Sequence, residues 1–199
     1  MRTSAVVLTM GCLTFGLGCG SSDSGAPLDC AWLAGNNCYK TTVAQATSCL
    51  PPAAERGVLD ANNSTCTYAS GAVVTFTPPL VFPMPFDDDN KQWNFTVSKG
   101  GQPCLHYQEN QAGFSLTVGA DTVSEGYAGG LGLKLTCPGG KVYSNGNAFA
   151  LLSCGGDDGG SFFGGLPGST WSSSDTSVSF GLIGTSDASS TPVFDCARP

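Results

Sequence analysis

The sequence predicts a mostly β fold, either an antiparallel β-sandwich or a partly closed barrel, with a small disulfide-linked helical cap near its N-terminus. The first observation is alternation of period two: Trp93, Phe95 and Val97 are separated by single polar residues, which is typical of a strand with one buried and one wet face. The second is that several such runs are separated by Gly-rich turns. The third is an even set of cysteines in the body of the chain, which predicts disulfides.

The helical cap is predicted over about residues 29–52. Asn37 is the expected N-cap, and Pro51 and Pro52 end the helix because proline cannot continue it. The residues that recur at near-helical spacing between these limits are Cys38, Val43, Ala46 and Cys49.

From about residue 56 the pattern changes to period two. Residues 64–76 predict a hairpin whose turn is formed by residues 69–71. The two-faced pattern recurs in four further runs: Trp93-Phe95-Val97, Phe114-Leu116-Val118, Leu131-Leu133-Leu135 and Val178-Phe180-Leu182. Such strands pack as readily in a sandwich as in a barrel, so the sequence leaves both open.

The first 18 residues predict a signal peptide. Arg2 supplies a positive charge, and residues 5–17 contain no charged side chain. A helix that crosses the hydrocarbon layer needs about 20 apolar residues. This run is shorter and is interrupted by glycines, so export followed by cleavage is expected rather than a permanent span.

The segment Gly16-Leu17-Gly18-Cys19 resembles the lipobox of bacterial lipoprotein precursors, in which small residues precede the cysteine that becomes the new N-terminus. Leucine usually stands three places before that cysteine, whereas Leu17 stands two before it. The resemblance implies a diacylglyceryl thioether on Cys19 and attachment to a bacterial membrane through that lipid. Residues 19–28 would then be the lipidated cysteine and a flexible Gly/Ser-rich tether, and residues 29–199 a single domain. The alternative is an ordinary secretory peptide and a secreted protein.

Ten cysteines are encoded, of which Cys12 leaves with the leader and Cys19 carries lipid. Zinc sites usually present closely spaced cysteine pairs with histidines, but the chain has one histidine and no such pair, so four disulfides are expected. The eight cysteines concerned are Cys30, Cys38, Cys49, Cys66, Cys104, Cys137, Cys154 and Cys196.

Their connectivity is not readable, because eight cysteines allow on the order of a hundred pairings. The expected pairings are local pairs among Cys30, Cys38, Cys49 and Cys66, a Cys137–Cys154 staple between neighbouring strands, and a bond from Cys196 that ties down the C-terminus.

The charge balance argues against nucleic-acid binding. Without Arg2 the chain has seven Lys and Arg residues against fifteen Asp and Glu, a net charge of −8. Nucleic-acid binding relies on clustered cations, and an acidic protein is also repelled by anionic headgroups. The expected partners are therefore the membrane, through the lipid on Cys19, and an envelope protein or a glycan.

Catalytic patterns are weak. His106 is the only histidine, no G-x-S-x-G elbow occurs, and a strand histidine that faces solvent is the simpler interpretation. Glu55, Glu109 and Glu125 are the only glutamates, and their polar, turn-like contexts predict solvated carboxylates rather than a catalytic pair.

The acidic run Asp87-Asp88-Asp89 is a candidate calcium site, since calcium prefers carboxylate and carbonyl oxygens. Asp157 and Asp158 could add ligands if the two loops meet. The alternative is that both are solvated loops, and no other cofactor is expected.

Aromatic side chains in two irregular segments, residues 77–86 and 155–171, are candidates for ligand recognition. The alternative is that they tuck beneath their own loops. The candidate residues are Phe82, Phe86, Phe162, Phe163 and Trp171.

These observations predict a non-enzymatic lipoprotein of the cell envelope with a structural or partner-binding role. The alternative is an exported or membrane-anchored hydrolase whose site assembles from scattered Ser, Asp and Glu residues.

Overall fold

The computed structural model describes residues 38–84, 92–110, 112–127, 133–145, 168–183 and 190–199. They form one α-helix, a short 3₁₀ helix at Pro138–Gly140 and a continuous sheet of twelve strands. The elements are α1 Cys38–Ala46, β1 Gly57–Leu59, β2 Thr65–Thr67, β3 Ala72–Phe76, β4 Trp93–Lys99, β5 Gln102–Asn110, β6 Gly113–Val118, β7 Asp121–Tyr127, β8 Leu133–Thr136, β9 Val142–Asn145, β10 Gly168–Ser173, β11 Ser177–Ile183 and β12 Ser190–Ala197. The prediction of a mostly β chain with a helix near its N-terminus is confirmed.

The strands follow the order β10-β11-β12-β1-β2-β3-β4-β5-β6-β7-β8-β9. Every neighbouring pair is antiparallel except β1 and β12, which run parallel because β12 returns beside β1. Within the described ranges β9 and β10 are the two ends of the sheet, and no pairing joins them. The sheet is therefore single, as in a barrel, but open.

The sheet rolls so that its two halves face each other as the layers of a sandwich do. The ring of Phe180 on β11 lies 4.9 Å from that of Phe95 on β4 and 5.1 Å from that of Tyr107 on β5. The ring of Phe194 on β12 lies 5.2 Å from that of Phe76 on β3. Edge-to-face and stacked aromatic pairs at these distances fill the space between the halves.

Alternation along the strands is confirmed by burial. The sides of β4, β6 and β11 that carry the predicted apolar residues are buried, and the alternate residues are more exposed. The hairpin β2–β3 turns at residues 68–71, where Gly71 has a φ of +84° that favours glycine. Leu135 of β8 is buried, whereas Leu131 lies outside the described residues.

Helix α1 is shorter than the predicted cap. It ends at Ala46, and a turn lies between it and Pro51. Residues 29–37, with the predicted N-cap, lie outside the described residues. Its buried side chains share the i, i+3, i+4, i+7 spacing of one helical face: Tyr39, Thr42, Val43 and Ala46. The helix packs on β6 and β7, where the ring of Tyr39 meets that of Phe114 edge-on at 5.3 Å. No helix in the described part of the chain is long and apolar enough to span a membrane.

Three disulfides are formed by the described cysteines, and they overturn the predicted local pairing. Their pairs are Cys38–Cys137, Cys49–Cys104 and Cys66–Cys196, with sequence separations of 99, 55 and 130 residues. Cysteines near one another in sequence are held apart because α1 and the segment that follows it lie against distant strands. The predicted Cys137–Cys154 disulfide is also wrong, since Cys137 bonds to Cys38 on the helix. The expected bond from Cys196 is present, and Cys30 and Cys154 lie outside the described residues.

The Cys66–Cys196 bond crosses strand β1, which lies between β2 and β12. Gly57 stands opposite Cys196 in the ladder, directly beneath the crossing. A Cβ at Gly57 would run into the sulfur of Cys66 and come within 2.7 Å of the ring of Tyr68. Only glycine therefore fits where the crosslink passes over the strand.

The three disulfides place the protein in an oxidising, extracytoplasmic environment, because thiols are kept reduced in the cytosol. Each closes a long loop and, by loop-closure entropy, stabilises the fold by about 4–5 kcal/mol.

Candidate functional site

Glu109 on β5 and Glu125 on β7 lie in one row across the sheet, with Phe114 of β6 between them. Glu109 stands opposite Phe114, and Phe114 stands opposite Glu125. Residues directly opposite one another in antiparallel strands share a face. Because Phe114 is buried on the inner face, both glutamates belong to that face as well.

The prediction that these two glutamates are solvated in turn-like contexts is therefore wrong. Both lie inside strands, and both are partly buried. The period of two contained the signal: Glu109 follows Tyr107 by two residues and Glu125 follows Val123 by two, and both of those residues are buried. Glu55, by contrast, does lie in a loop, where hydrogen bonds from Ser70 hold its pKa below the usual range.

The Glu109 carboxylate accepts two hydrogen bonds through the same oxygen, Oε2. The hydroxyl of Tyr107 donates at 3.0 Å, and the hydroxyl of Ser169 donates at 2.6 Å. Ser169 belongs to β10, at the end of the sheet, so this bond links that strand across the interior to β5. Burial, followed by the charge of Glu109, raises the pKa of the Tyr107 hydroxyl well above its usual range, which keeps it a donor.

Among the described carboxyl groups, that of Glu125 has its pKa raised. Burial, with a further contribution from the charge of Glu109, raises its pKa from 4.5 to about 7. Near neutral pH this carboxyl therefore exchanges between its neutral and ionised forms, whereas an ordinary glutamate would be fully ionised.

An open pocket of about 250 Å³ reaches Glu125 at the end of the β5–β6 hairpin. Gln108, Asn110 and Ser115 supply polar groups beside it, but Glu109 does not line it. At the same end Gly113 has a φ of +142°, and a Cβ there would collide with the backbone carbonyl of Glu125. The arrangement provides one titratable carboxyl with a route for protons and small molecules, and it does not present both carboxylates to a common space.

Phe82 is partly buried and packs against the core. The guanidinium of Arg198 lies 4.6 Å from the centre of its ring, and Arg198 Nε also donates to Asn63 Oδ1 at 3.2 Å. Asn63 fixes the same segment through two hydrogen bonds with the backbone of Leu80. The segment that carries Phe82 is thus attached both to the β1–β2 turn and to the C-terminus.

Trp171 is on the inner face of β10, opposite Phe180, and is partly buried. Its ring centre lies 6.2 Å from that of Trp93 on β4. Phe82 lies in the segment between β3 and β4, whereas Trp171 lies on β10, and the two side chains do not line a common pocket. Their role in recognition stays a prediction. Phe86, Phe162 and Phe163, the other recognition candidates, lie outside the described residues.

His106 is on the outer face of β5, between Thr96 and Thr117 in the ladder. Its Nε2 lies 2.9 Å from Asn94 Oδ1, a hydrogen bond between two partly buried side chains. The histidine thus lies on a strand, as predicted, and is partly exposed.

Across the described ranges, no three His, Cys, Asp or Glu side chains come together in a way that could hold a metal ion. The calcium prediction falls on Asp87, Asp88 and Asp89, with Asp157 and Asp158, and all five lie outside the described residues. The same holds for Cys19, so lipidation stays a prediction.

Comparison with protein-family models, curated proteins and solved structures finds no match for this chain. Function must therefore be inferred from the residues and their geometry.

Proposed function

We propose that this chain is a lipoprotein of the bacterial cell envelope, held to a membrane by a lipid on Cys19, whose β domain serves a structural or partner-binding role without catalysis. The leader and the Gly16-Leu17-Gly18-Cys19 segment support the anchor. The disulfides support export, since they require an oxidising compartment.

The observation that carries the non-catalytic role is the filled interior of the rolled sheet. Aromatic rings from both halves meet at 4.9–6.2 Å across the space that would otherwise hold a substrate. Three pockets that the described residues line are open surface depressions of about 250–330 Å³. A rigid, crosslinked body of this kind suits a scaffold or a docking module on a tether.

The anchor is tested by producing the full chain in a bacterium that processes lipoproteins and labelling it with a fatty acid. We expect label in the membrane fraction and an N-terminal mass that corresponds to acylated Cys19. Cys19→Ser should lose the label and leave the membrane, whereas the matched variant Cys12→Ser should keep both. An unmodified thiol on Cys19 in the mature wild-type protein would refute the anchor and leave secretion as the alternative.

The two inward-facing glutamates favour a second candidate, an exported hydrolase. Enzymes that cleave glycosides use one carboxyl with a raised pKa and one ionised carboxylate, the pattern that Glu125 and Glu109 show. Against this candidate, Phe114 stands between them and the pocket reaches only Glu125. A panel of glycan and ester substrates decides it: turnover abolished by Glu125→Gln and by Glu109→Gln supports the hydrolase, and no turnover above that of either variant excludes it.

A further inference from the structure

Two side chains of strand β10 reach across the interior. Its backbone pairs with β11 on one side, and it is an end strand of the sheet that the described residues form. Its inward side chains Ser169 and Trp171 meet Glu109 of β5 and Trp93 of β4, at 2.6 Å and 6.2 Å respectively. We call this contact between β10 and the inner face of β4 and β5 the seam.

The seam depends on the ionised form of Glu109, because the hydroxyls of both Ser169 and Tyr107 donate to its carboxylate. The Glu125 carboxyl stands two strands away in the same row. Two negative charges on one partly buried face repel each other, and each resists leaving water. Ionisation of Glu125 is therefore expected to destabilise the seam.

Charged and titratable groups belong to several of the elements packed around Glu125. Strand β6 carries no titratable side chain, and β10 contributes no ionisable one. From β8, Leu135 stands opposite Glu125, and Lys134 stands opposite Gly126, one position away. The remaining titratable groups with described side chains on the elements packed there are Tyr39, which is buried, Lys40 and Lys141, which are exposed, Asp121 at the start of β7, His106 on the outer face of β5, and Tyr107 and Glu109 on its inner face. Among them, Glu109 is the charged group that acts on Glu125.

We propose that Glu109 and Glu125 form a proton-operated latch on the seam. With a proton on Glu125 the inner face holds one negative charge, which the two hydroxyls satisfy, and β10 stays docked. Loss of that proton places a second charge on the face, and opening of the seam relieves it by admitting water to both carboxylates. The edge of the sheet is thus closed in acid and loosened in mild alkali.

The pH range over which the latch operates follows from the burial of Glu125. Its pKa of about 7 in the folded protein lies above the 4.5 of a free glutamate, and water admitted by opening of the seam should lower it toward that value. Docking is therefore fully supported below about pH 4.5 and loses that support as the pH rises through 7. An envelope protein meets this range whenever its surroundings acidify, so the latch couples the exposure of the β10 edge to external pH.

Hydrogen exchange of the oxidised full-length protein tests the latch. Exchange in residues 168–173, corrected for the intrinsic effect of pH, is compared between pH 5.5 and pH 8.5, with β3 and β4 as the internal reference. We expect protection of β10 to fall by about tenfold or more relative to the reference strands, whose protection falls only as far as the global free energy of unfolding does. Unchanged protection of β10 in the wild-type protein would overturn the proposal, as would an equal fall in all strands.

Two variants assign the effect. Glu125→Gln should keep β10 protected at pH 8.5, and Asp121→Asn, which removes a carboxylate from the end of the same strand, should behave as the wild type. If Asp121→Asn abolishes the pH dependence and Glu125→Gln does not, the latch is wrong. If Glu125→Gln does not fold, the wild-type profile and the Asp121→Asn profile still decide between these outcomes.

Discussion

Two regions of the rolled, open sheet are held together in different ways, and we call each of these links a closure. Around β1, β2 and β12 the closure is covalent and apolar: the Cys66–Cys196 bond crosses Gly57, and the ring of Phe194 packs against that of Phe76. Around β5, β7 and β10 the closure depends on a carboxylate, since Glu109 receives the hydroxyl of Ser169. The first closure is insensitive to pH, whereas the second changes with the protonation of a neighbour. One sheet therefore combines a permanent closure with a conditional one.

The largest effect is expected from removal of the covalent closure. Replacing Cys66 and Cys196 together by alanine should lower the free energy of unfolding by about 4–5 kcal/mol, because the bond closes a loop of 130 residues. Urea unfolding of the oxidised proteins measures the difference. Ser169→Ala/Trp171→Phe, which alters only the seam, is the control. If the cysteine variant loses no more stability than this control, the distinction between the two closures fails.

A slightly smaller effect is expected from the aromatic core. Phe180 is 2% exposed and meets rings from both halves of the sheet. Phe180→Ala should cost about 3–5 kcal/mol, since it removes buried area and leaves a cavity. Thermal and urea unfolding provide the measurement, with the exposed Val81→Ala as control. Loss below about 1 kcal/mol would mean that the two halves are not packed together as described.

The conditional closure should appear as a pH-dependent stability. Because the pKa of Glu125 is raised from 4.5 to about 7, the folded state binds the proton more tightly, and stability falls as the pH rises through that range. The shift corresponds to about 3 kcal/mol. Glu125→Gln does not titrate, so relative to the wild type it should gain up to about 3 kcal/mol between pH 4.5 and pH 8.5. Unfolding curves at both pH values measure this gain, and a constant difference between the two proteins would contradict it.

The smallest effect is expected from the seam's hydrogen bond. Ser169→Ala removes a donor to an ionised acceptor, which should cost about 1–2 kcal/mol at pH 6. The matched variant Ser172→Ala, on the outer face of the same strand, removes a hydroxyl that bonds Ser179 at the surface and should cost less. Equal losses in the two variants would show that the inward position of Ser169 has no special weight.

Much of the fold follows from periodicity, and the rest depends on contacts between distant segments. The strands β4, β6 and β11 were predictable because their buried side chains alternate over six or seven residues. Strand β1 has three residues and no period of its own, so its parallel pairing with β12 left no local signal. The disulfides were predictable in kind but not in partner, since Cys38 and Cys137 meet only after the helix docks on the sheet.

The candidate site was missed for a different reason. Glu109 and Glu125 were interpreted by composition, as polar residues in polar surroundings, although their position two residues after Tyr107 and Val123 places them on the inner face. Applying the alternation rule to charged residues as well as to apolar ones would have found both. The bond from Ser169 had no such signal, because it joins residues 60 positions apart.

The position of β12 constrains the order in which the domain can assemble. This strand stands between β11 and β1, so the strands on either side of it become one surface only when residues 190–197 have been inserted. A polypeptide that crosses a membrane with its N-terminus first would therefore have to emerge as far as residue 197 before the whole sheet could form. Shortening the chain before Cys196 would divide the sheet into two separate pieces instead of trimming an edge.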